Sequence, residues 1–182
     1  KQFVDGTYRF AARTADLAGN QSALSREFGV TIDNVDPAKP AITGITPDTG
    51  LSGSDAITRT NMVLIRGTAE PGASINVYQS GATDNLLGTA QVNDSGNWEF
   101  DLAGQNLSEG NRTLFTRALD LAGNESVDSD PFMLTVDTTS PTPASALEIN
   151  GRIDAAYTDH SSLDLAGQAE AGADLAQLGP GI

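Results

Sequence analysis

The chain has 182 residues, of which 38% are hydrophobic and 5% aromatic, with 19 glycines and 8 prolines; this composition supports modest hydrophobic cores joined by many turns and disfavours gross disorder. A formal net charge of −14 disfavours nucleic acid and anionic membranes as partners and favours divalent cations. The absence of cysteine excludes disulfides and thiolate metal sites.

The first 37 residues recur further along the chain. The pentapeptide Asp-Leu-Ala-Gly-Asn occupies 16–20 and again 120–124, an offset of 104 that its flanks keep without a gap. Self-similarity at a fixed period is typical of repeat architectures, so we predict a tandem array. In all, 13 of 37 positions are identical, and the flanking identities include Gly6 with Gly110, Arg13 with Arg117, Ser22 with Ser126, Phe28 with Phe132, Asp33 with Asp137 and Pro37 with Pro141.

A third, partial copy of the repeat follows. Residues 69–73 are echoed by residues 169–173, at an offset of 100. We therefore predict the C-terminal strands of a partial repeat in 1–37, a complete repeat in 38–141 and the N-terminal strands of a truncated repeat in 142–182.

The complete repeat is predicted to be an all-β sandwich. Short runs with β-branched and aromatic residues alternate with clusters of Gly, Asn, Asp and Pro, which is typical of that fold. We expect Val63 and Ile65 to face the core and Trp98, with Phe100, to fill its centre, although an exposed, sugar-stacking role for Trp98 stays open. The seven predicted strands are 41–46, 61–67, 73–79, 86–92, 96–102, 112–119 and 131–137.

Several short motifs carry a family resemblance. They are Gly6, Tyr8 and Phe10 before the pentapeptide, the Phe-x-Val-Thr-Ile-Asp pattern of 28–33 with its proline-containing linker, and the segments Asp48 to Gly50, Asp55 to Thr58 and Gly67 to Ala73. Together they resemble bacterial immunoglobulin-like repeats of large RTX-type and biofilm-associated surface adhesins, over nearly the whole chain. The resemblance implies immunoglobulin-like antiparallel β-sandwich repeats in tandem, extracellular display on the bacterial cell surface, and calcium at the junctions between repeats.

The direction of the strands places several acidic residues at the same pole and so predicts a calcium site. Because successive strands of a sandwich run alternately between its two poles, the turns 67–73 and 120–126 are predicted to lie at the N-terminal pole, beside the entering linker. Carboxylates from two repeats would meet there, and Ca2+ takes about six to eight oxygen ligands. Asn124 or backbone carbonyls would complete the shell. The predicted calcium ligands at this junction are Asp33, Asp36, Glu70 and Asp120.

A second calcium site is predicted at the opposite pole. Asp48 and Asp55 lie in the first inter-strand loop, Asp137 ends the last strand, and Glu170 would approach from the next repeat. This junction departs from the first, since Ser140 replaces an aspartate. For each of these carboxylates an alternative stays open, because aspartate is common in turns, where its side chain accepts backbone hydrogen bonds.

The leading functional hypothesis is mechanical and not catalytic. Repeats that contact only their neighbours suit length and extension, so we predict spacer repeats that project a binding tip, with junction calcium setting their stiffness. Neighbouring repeats are the expected partners, and no membrane insertion is expected because no apolar run approaches about 20 residues. Two alternatives are a carbohydrate- or receptor-binding module and an accessory module of a secreted polysaccharide-degrading enzyme.

Overall fold

The computed structural model describes residues 2–105, 107–143, 145–149, 165–169 and 171. The chain divides into two compact units, residues 1–138 and residues 139–182. Within the described residues the only helical segment is a 3-10 turn, Ala103–Gln105, and no helix is long and apolar enough to cross a membrane. The strands are β1 (Gly6–Phe10), β2 (Phe28–Ile32), β3 (Ala41–Thr46), β4 (Ile57–Thr58), β5 (Leu64–Thr68), β6 (Ser74–Gln79), β7 (Asn85–Gln91), β8 (Asn97–Asp101), β9 (Gly110–Leu119), β10 (Phe132–Val136), β11 (Ser145–Ile149) and β12 (Leu165–Gln168).

Two sheets make up the complete repeat. One has the order β3-β5-β8, and the other has the order β4-β10-β9-β6-β7. All of these pairs are antiparallel except that of β4 with β10, which is parallel and two residues long. The predicted all-β sandwich is confirmed, and each of the seven predicted strands corresponds to an observed one. The sequence did not predict β4, because two residues are too few to show an alternation.

Alternating side chains build the core between the sheets. Ile65 of β5, Ile75 of β6 and Leu114 of β9 are fully buried, while their neighbours along each strand are more exposed, except Phe115 after Leu114. Val63 is also fully buried, as predicted. Removing apolar surface from water, at about 25 cal/mol per Å2, is the main stabilising contribution to such a core.

Trp98 fills the centre of the sandwich because the residue opposite is glycine. Gly67 and Trp98 are paired directly across β5 and β8, and a Cβ atom on Gly67 would lie 2.2 Å from the indole Cζ2 and 2.2 Å from the carbonyl oxygen of Ala41. Phe100 packs in the same way, since a Cβ on Gly88 would lie 2.7 Å from its ring. With Trp98 only 2% exposed, the core role predicted for it is confirmed.

The partial repeat before the sandwich has the geometry of the sandwich's own last hairpin. β1 and β2 are antiparallel, with Gly6 opposite Ile32. β9 and β10 are antiparallel, with Gly110 opposite Val136, and the remaining pairs follow the same offset of 104 residues. The sequence repeat is therefore also a repeat of strand register.

The second unit contains one described pair of strands. β11 and β12 are antiparallel, with an irregular register between Ser145 and Glu148. Most of the partial repeat predicted for 142–182, including Glu170, lies outside the described residues.

Replacing Gly67 with alanine should destabilise the sandwich, because the new Cβ has no space between the Trp98 indole and the backbone of Ala41. Overpacking of this kind costs about 1–3 kcal/mol in the free energy of unfolding. The control is Gly44→Ala in the adjacent β3, where a Cβ meets nothing within 4 Å. Urea unfolding, followed by the fluorescence of the single tryptophan, measures both variants. Equal midpoints would show that the indole does not require a glycine opposite it.

Candidate functional site

The N-terminal pole of the sandwich faces the linker from the partial repeat. Thr68 pairs with Ala41 at the start of β3, so the turn after β5 lies beside the entering chain. Leu119 pairs with Ser74, which places the turn after β9 at the same end. The strand register therefore brings to one pole the two turns that the sequence assigned to it.

The linker is held against the complete repeat. Pro37 and Pro40 are both buried, so the chain between them follows the surface of the sandwich. Lys39 Nζ donates to Asp130 Oδ1 at 2.6 Å. An exposed ion pair of this kind contributes little by itself, and the prolines supply the packing. Sequence analysis did not anticipate the contact between Lys39 and Asp130.

Two of the predicted calcium ligands contact the junction. Glu70 Oε2 accepts the backbone N–H of Ala38 at 3.4 Å. The carbonyl oxygen of Asp33 accepts a hydrogen bond from Nδ2 of Asn124 at 3.1 Å, while Asp33 Oδ1 accepts the backbone N–H of Val35 at 3.1 Å. Both residues therefore act as hydrogen-bond acceptors at the seam between the repeats.

Asp120 organises the turn after β9. Its Oδ1 accepts the backbone N–H groups of Ala122, Gly123 and Asn124 at 2.8, 2.7 and 2.8 Å, and its Oδ2 accepts Nδ2 of Asn124 at 2.8 Å. Gly123 has a φ of 97°, a conformation that glycine adopts without strain. The Asn124 side chain is the largest cause that holds the pKa of Asp120 below its usual 3.8, and the backbone hydrogen bonds lower it further.

The same turn occurs in the partial repeat. Asp16 Oδ1 accepts the backbone N–H groups of Ala18 and Asn20 at 2.9 and 2.8 Å, and Oδ2 accepts Nδ2 of Asn20 at 2.8 Å. The pKa of Asp16 is lowered as well, first by the Asn20 side chain. The pentapeptide therefore forms this turn in both of its copies.

Two serines after the turn have a role that sequence analysis missed. Ser126 Oγ accepts the backbone N–H of Ala118 at 2.9 Å, and Ser129 Oγ accepts that of Thr116 at 3.0 Å. The backbone N–H of each serine donates to the carbonyl of the same partner at 2.9 Å. The serines thus continue the hydrogen bonding along the edge of β9 beyond Leu114, where its pairing with β10 ends. Their identity with serines at the equivalent positions of the partial repeat was the available signal.

The structure does not gather the predicted calcium ligands into one cluster. Across the described ranges, no group of three or more His, Cys, Asp or Glu residues is placed to hold a metal ion. Asp36 is exposed on the linker, while Glu70 and Asp120 accept N–H groups. Oxygen donors therefore surround the linker without converging on one point.

At the opposite pole the predicted ligands lie around the loop that crosses between the sheets. Asp48 Oδ2 accepts the backbone N–H of Ala56 at 3.0 Å, whereas Oδ1 is buried and has no hydrogen-bond partner within the described residues. Asp55 Oδ1 accepts the N–H two residues further on at 3.1 Å. The backbone N–H of Asp137 donates to the carbonyl of Thr58 at 2.9 Å. Asp48 also lines a groove of about 260 Å3.

A family model for the bacterial Ig-like domain matches residues 38–138, more than half of the chain. The chain therefore belongs to the bacterial Ig-like domain family, and the immunoglobulin-like fold predicted from the sequence is confirmed. Among curated proteins, none matches the chain.

Two solved structures are similar to parts of the chain. One is from a 1.5-MDa bacterial ice-binding adhesin, described for its retention on the host cell surface; it is 21% identical over 71% of this chain and 41% of that one, with a TM-score of 0.35. The other is a Ca2+-stabilised adhesin that helps an Antarctic bacterium reach out and bind ice; it is 22% identical over 79% of this chain and 34% of that one, with a TM-score of 0.36. The chain spans less than half the length of either.

Replacing Asn124 with alanine should raise the pKa of Asp120 toward 3.8, because the Asn124 side chain is the largest cause of its lowering. Asn20→Ala is the matched control and should raise the pKa of Asp16 alone. Carboxyl 13C NMR titration measures both values.

The pH dependence of the turn follows from the same shift. Because the folded pKa of Asp120 lies below its unfolded value, the stability contributed by its hydrogen bonds is fully present above about pH 4 and is lost as the pH falls through the folded pKa. An Asp120 pKa that is the same in the Asn124→Ala variant and the native chain would contradict this description of the turn.

Proposed function

We propose that the chain is a stretch of spacer, or extender, repeats of a bacterial cell-surface adhesin, which holds a binding tip away from the cell. One observation carries the proposal. The hairpin that ends the partial repeat leads through a short linker with buried prolines directly into the following sandwich. That sandwich ends in a hairpin of the same register. Neighbouring repeats of the same chain are then the main partners, and the extracellular bacterial surface is the location.

A spacer needs repeats that are individually stable and junctions that resist bending. The sandwich closes its own core around Trp98, so its stability depends little on its neighbours. Its linker is short, contains two buried prolines and lies against the following repeat, which limits independent motion of two successive repeats. A chain built this way gains length with each repeat and keeps its direction at each seam.

We further propose that calcium stiffens the first junction. Asp33, Asp36 and Glu70 offer hard oxygen donors around one linker, which is the donor chemistry that Ca2+ prefers. Their mutual repulsion, within a chain of net charge −14, would be relieved by a divalent cation. Since these side chains do not converge, binding requires Asp36 and Glu70 to turn toward Asp33. To bind the ion, Asp120 would have to give up hydrogen bonds that it now accepts from backbone N–H groups.

The environment of Asp48 favours a second cation site at the opposite pole. A buried carboxylate oxygen without a hydrogen-bond partner is costly, and a bound cation would offset that cost. Asp55 directly precedes Ala56, whose backbone N–H donates to Asp48. The backbone N–H of Asp137 donates to Thr58 of β4, the strand that follows the same loop. We propose Asp48, Asp55 and Asp137 as the protein ligands of this site.

Calcium should raise the unfolding temperature of the 182-residue chain, since an ion that binds only the folded state stabilises it by mass action. At a free concentration about 100 times Kd the gain is about 2.7 kcal/mol. The double variant Asp36→Asn with Glu70→Gln should lose binding at the first junction, and Asp48→Asn should lose binding at the second. Isothermal titration calorimetry counts the sites, and scanning calorimetry measures the stabilisation.

The matched control is Asp84→Asn with Glu27→Gln, which removes the same formal charge from two exposed side chains outside the predicted ligand sets. This control should bind calcium as the native chain does. No binding by the native chain would refute the calcium proposal. Equal losses of calcium binding in the control and the double variant would show that binding depends on net charge and not on these particular side chains.

A further inference from the structure

The hinge between the two repeats is confined to two residues. On the preceding side, Asn34 is fixed to the partial repeat, because its backbone N–H and its Nδ2 donate to Asp5 Oδ1 at 3.1 and 2.6 Å. On the following side, Pro37 is buried. Val35 and Asp36, which lie between these anchors, are exposed. Rotation of one repeat against the next must therefore take place largely through their torsion angles.

One side-chain hydrogen bond from the turn after β9 spans this hinge. Asn124 belongs to the following repeat, and its Nδ2 donates to the carbonyl oxygen of Asp33, which precedes the hinge, at 3.1 Å. The amide nitrogen of Asn124 has two N–H groups, and the other donates to Asp120 Oδ2 at 2.8 Å. Asp120 thus sets the direction in which Asn124 points, and Asp33 receives the remaining N–H.

The partial repeat shows that this arrangement is preformed. The turn at Asp16 fixes the Asn20 amide with the same 2.8 Å bond to Oδ2 and the same 2.8 Å bond from the Asn20 backbone N–H to Oδ1. Within the part of the chain that the structure describes, the Asn20 amide has no acceptor in another repeat, so the turn reaches this internal geometry by itself. A side chain that is already oriented loses little conformational entropy when it binds its acceptor.

We propose that the Asp-Leu-Ala-Gly-Asn turn is an inter-repeat latch that binds the exit of the preceding repeat's last strand through a main-chain carbonyl. Asn124 is the binding residue, Asp120 is a positioning residue, and the acceptor is the carbonyl of Asp33. The latch needs no metal ion. It goes beyond the spacer proposal, since it requires only that one repeat follows another in the same chain.

Distances between spin labels in the complete chain test the latch. The chain contains no cysteine, so Ala23→Cys in the partial repeat and Ala82→Cys in the sandwich are the sole labelling sites. In chelator, double electron–electron resonance should give a narrow distance distribution for the otherwise native chain. Asn124→Ala should broaden it, with about a fivefold rise in the ratio of open to latched junctions, the size expected for one hydrogen bond.

Two further variants separate the latch from a folding defect. Asn20→Ala breaks the equivalent turn without touching the junction, and its distribution should stay narrow. Asn124→Asp keeps the shape of the side chain but replaces the donor with a second carboxylate beside Asp120, and it should broaden the distribution at least as much as alanine does. A narrow distribution for either Asn124 variant, or a broad one for the otherwise native chain or for Asn20→Ala, would overturn the proposal. Because all of these measurements are made in chelator, failure of the calcium proposal would leave their outcome unchanged.

Discussion

Two residues of backbone, Val35 and Asp36, separate Asn34, which is hydrogen-bonded to Asp5, from Pro37, the first buried proline of the next repeat. So short a connection leaves few torsion angles through which the repeats can change their relative orientation. A single hydrogen bond across it, from Asn124 to the Asp33 carbonyl, then constrains a whole sandwich. A longer flexible linker would weaken that constraint, because the entropic cost of closing a loop grows with its length. The positions of the acidic side chains around the junction depend on the same short connection.

Stability and connection are provided by different parts of the repeat. The core depends on the fit of the Trp98 indole against Gly67, its partner on the neighbouring strand of the three-stranded sheet. The junction combines the buried Pro37 and Pro40 with polar contacts at one pole, which are made to turns and to the linker. Because these two sets of residues are separate, their energetic effects should be close to additive. An array of such repeats can therefore vary its seams without losing its cores, which suits a structure made of many units.

The sequence predicted what local patterns and repetition determine. The seven strands followed from alternation and turn residues, and the 104-residue offset gave the equivalence of the two hairpins. β4 was missed because a two-residue strand has no periodicity. The pairing of Lys39 with Asp130 has no sequence signal, since the two residues are 91 positions apart. Asp120 and Glu70 lie at the pole that their turns predicted. Their role could not be predicted, because the same carboxylate can accept an N–H or bind calcium. Only the geometry shows which N–H groups they accept.

We infer that the junction holds two successive repeats in one orientation before any metal binds. Residual dipolar couplings of backbone N–H groups, measured in chelator on the partially aligned chain, report this orientation. A single alignment tensor should fit the couplings of β1 and β2 together with those of the sandwich strands. Two tensors that differ in magnitude or direction would show that the repeats reorient independently and that the junction does not hold them in one orientation.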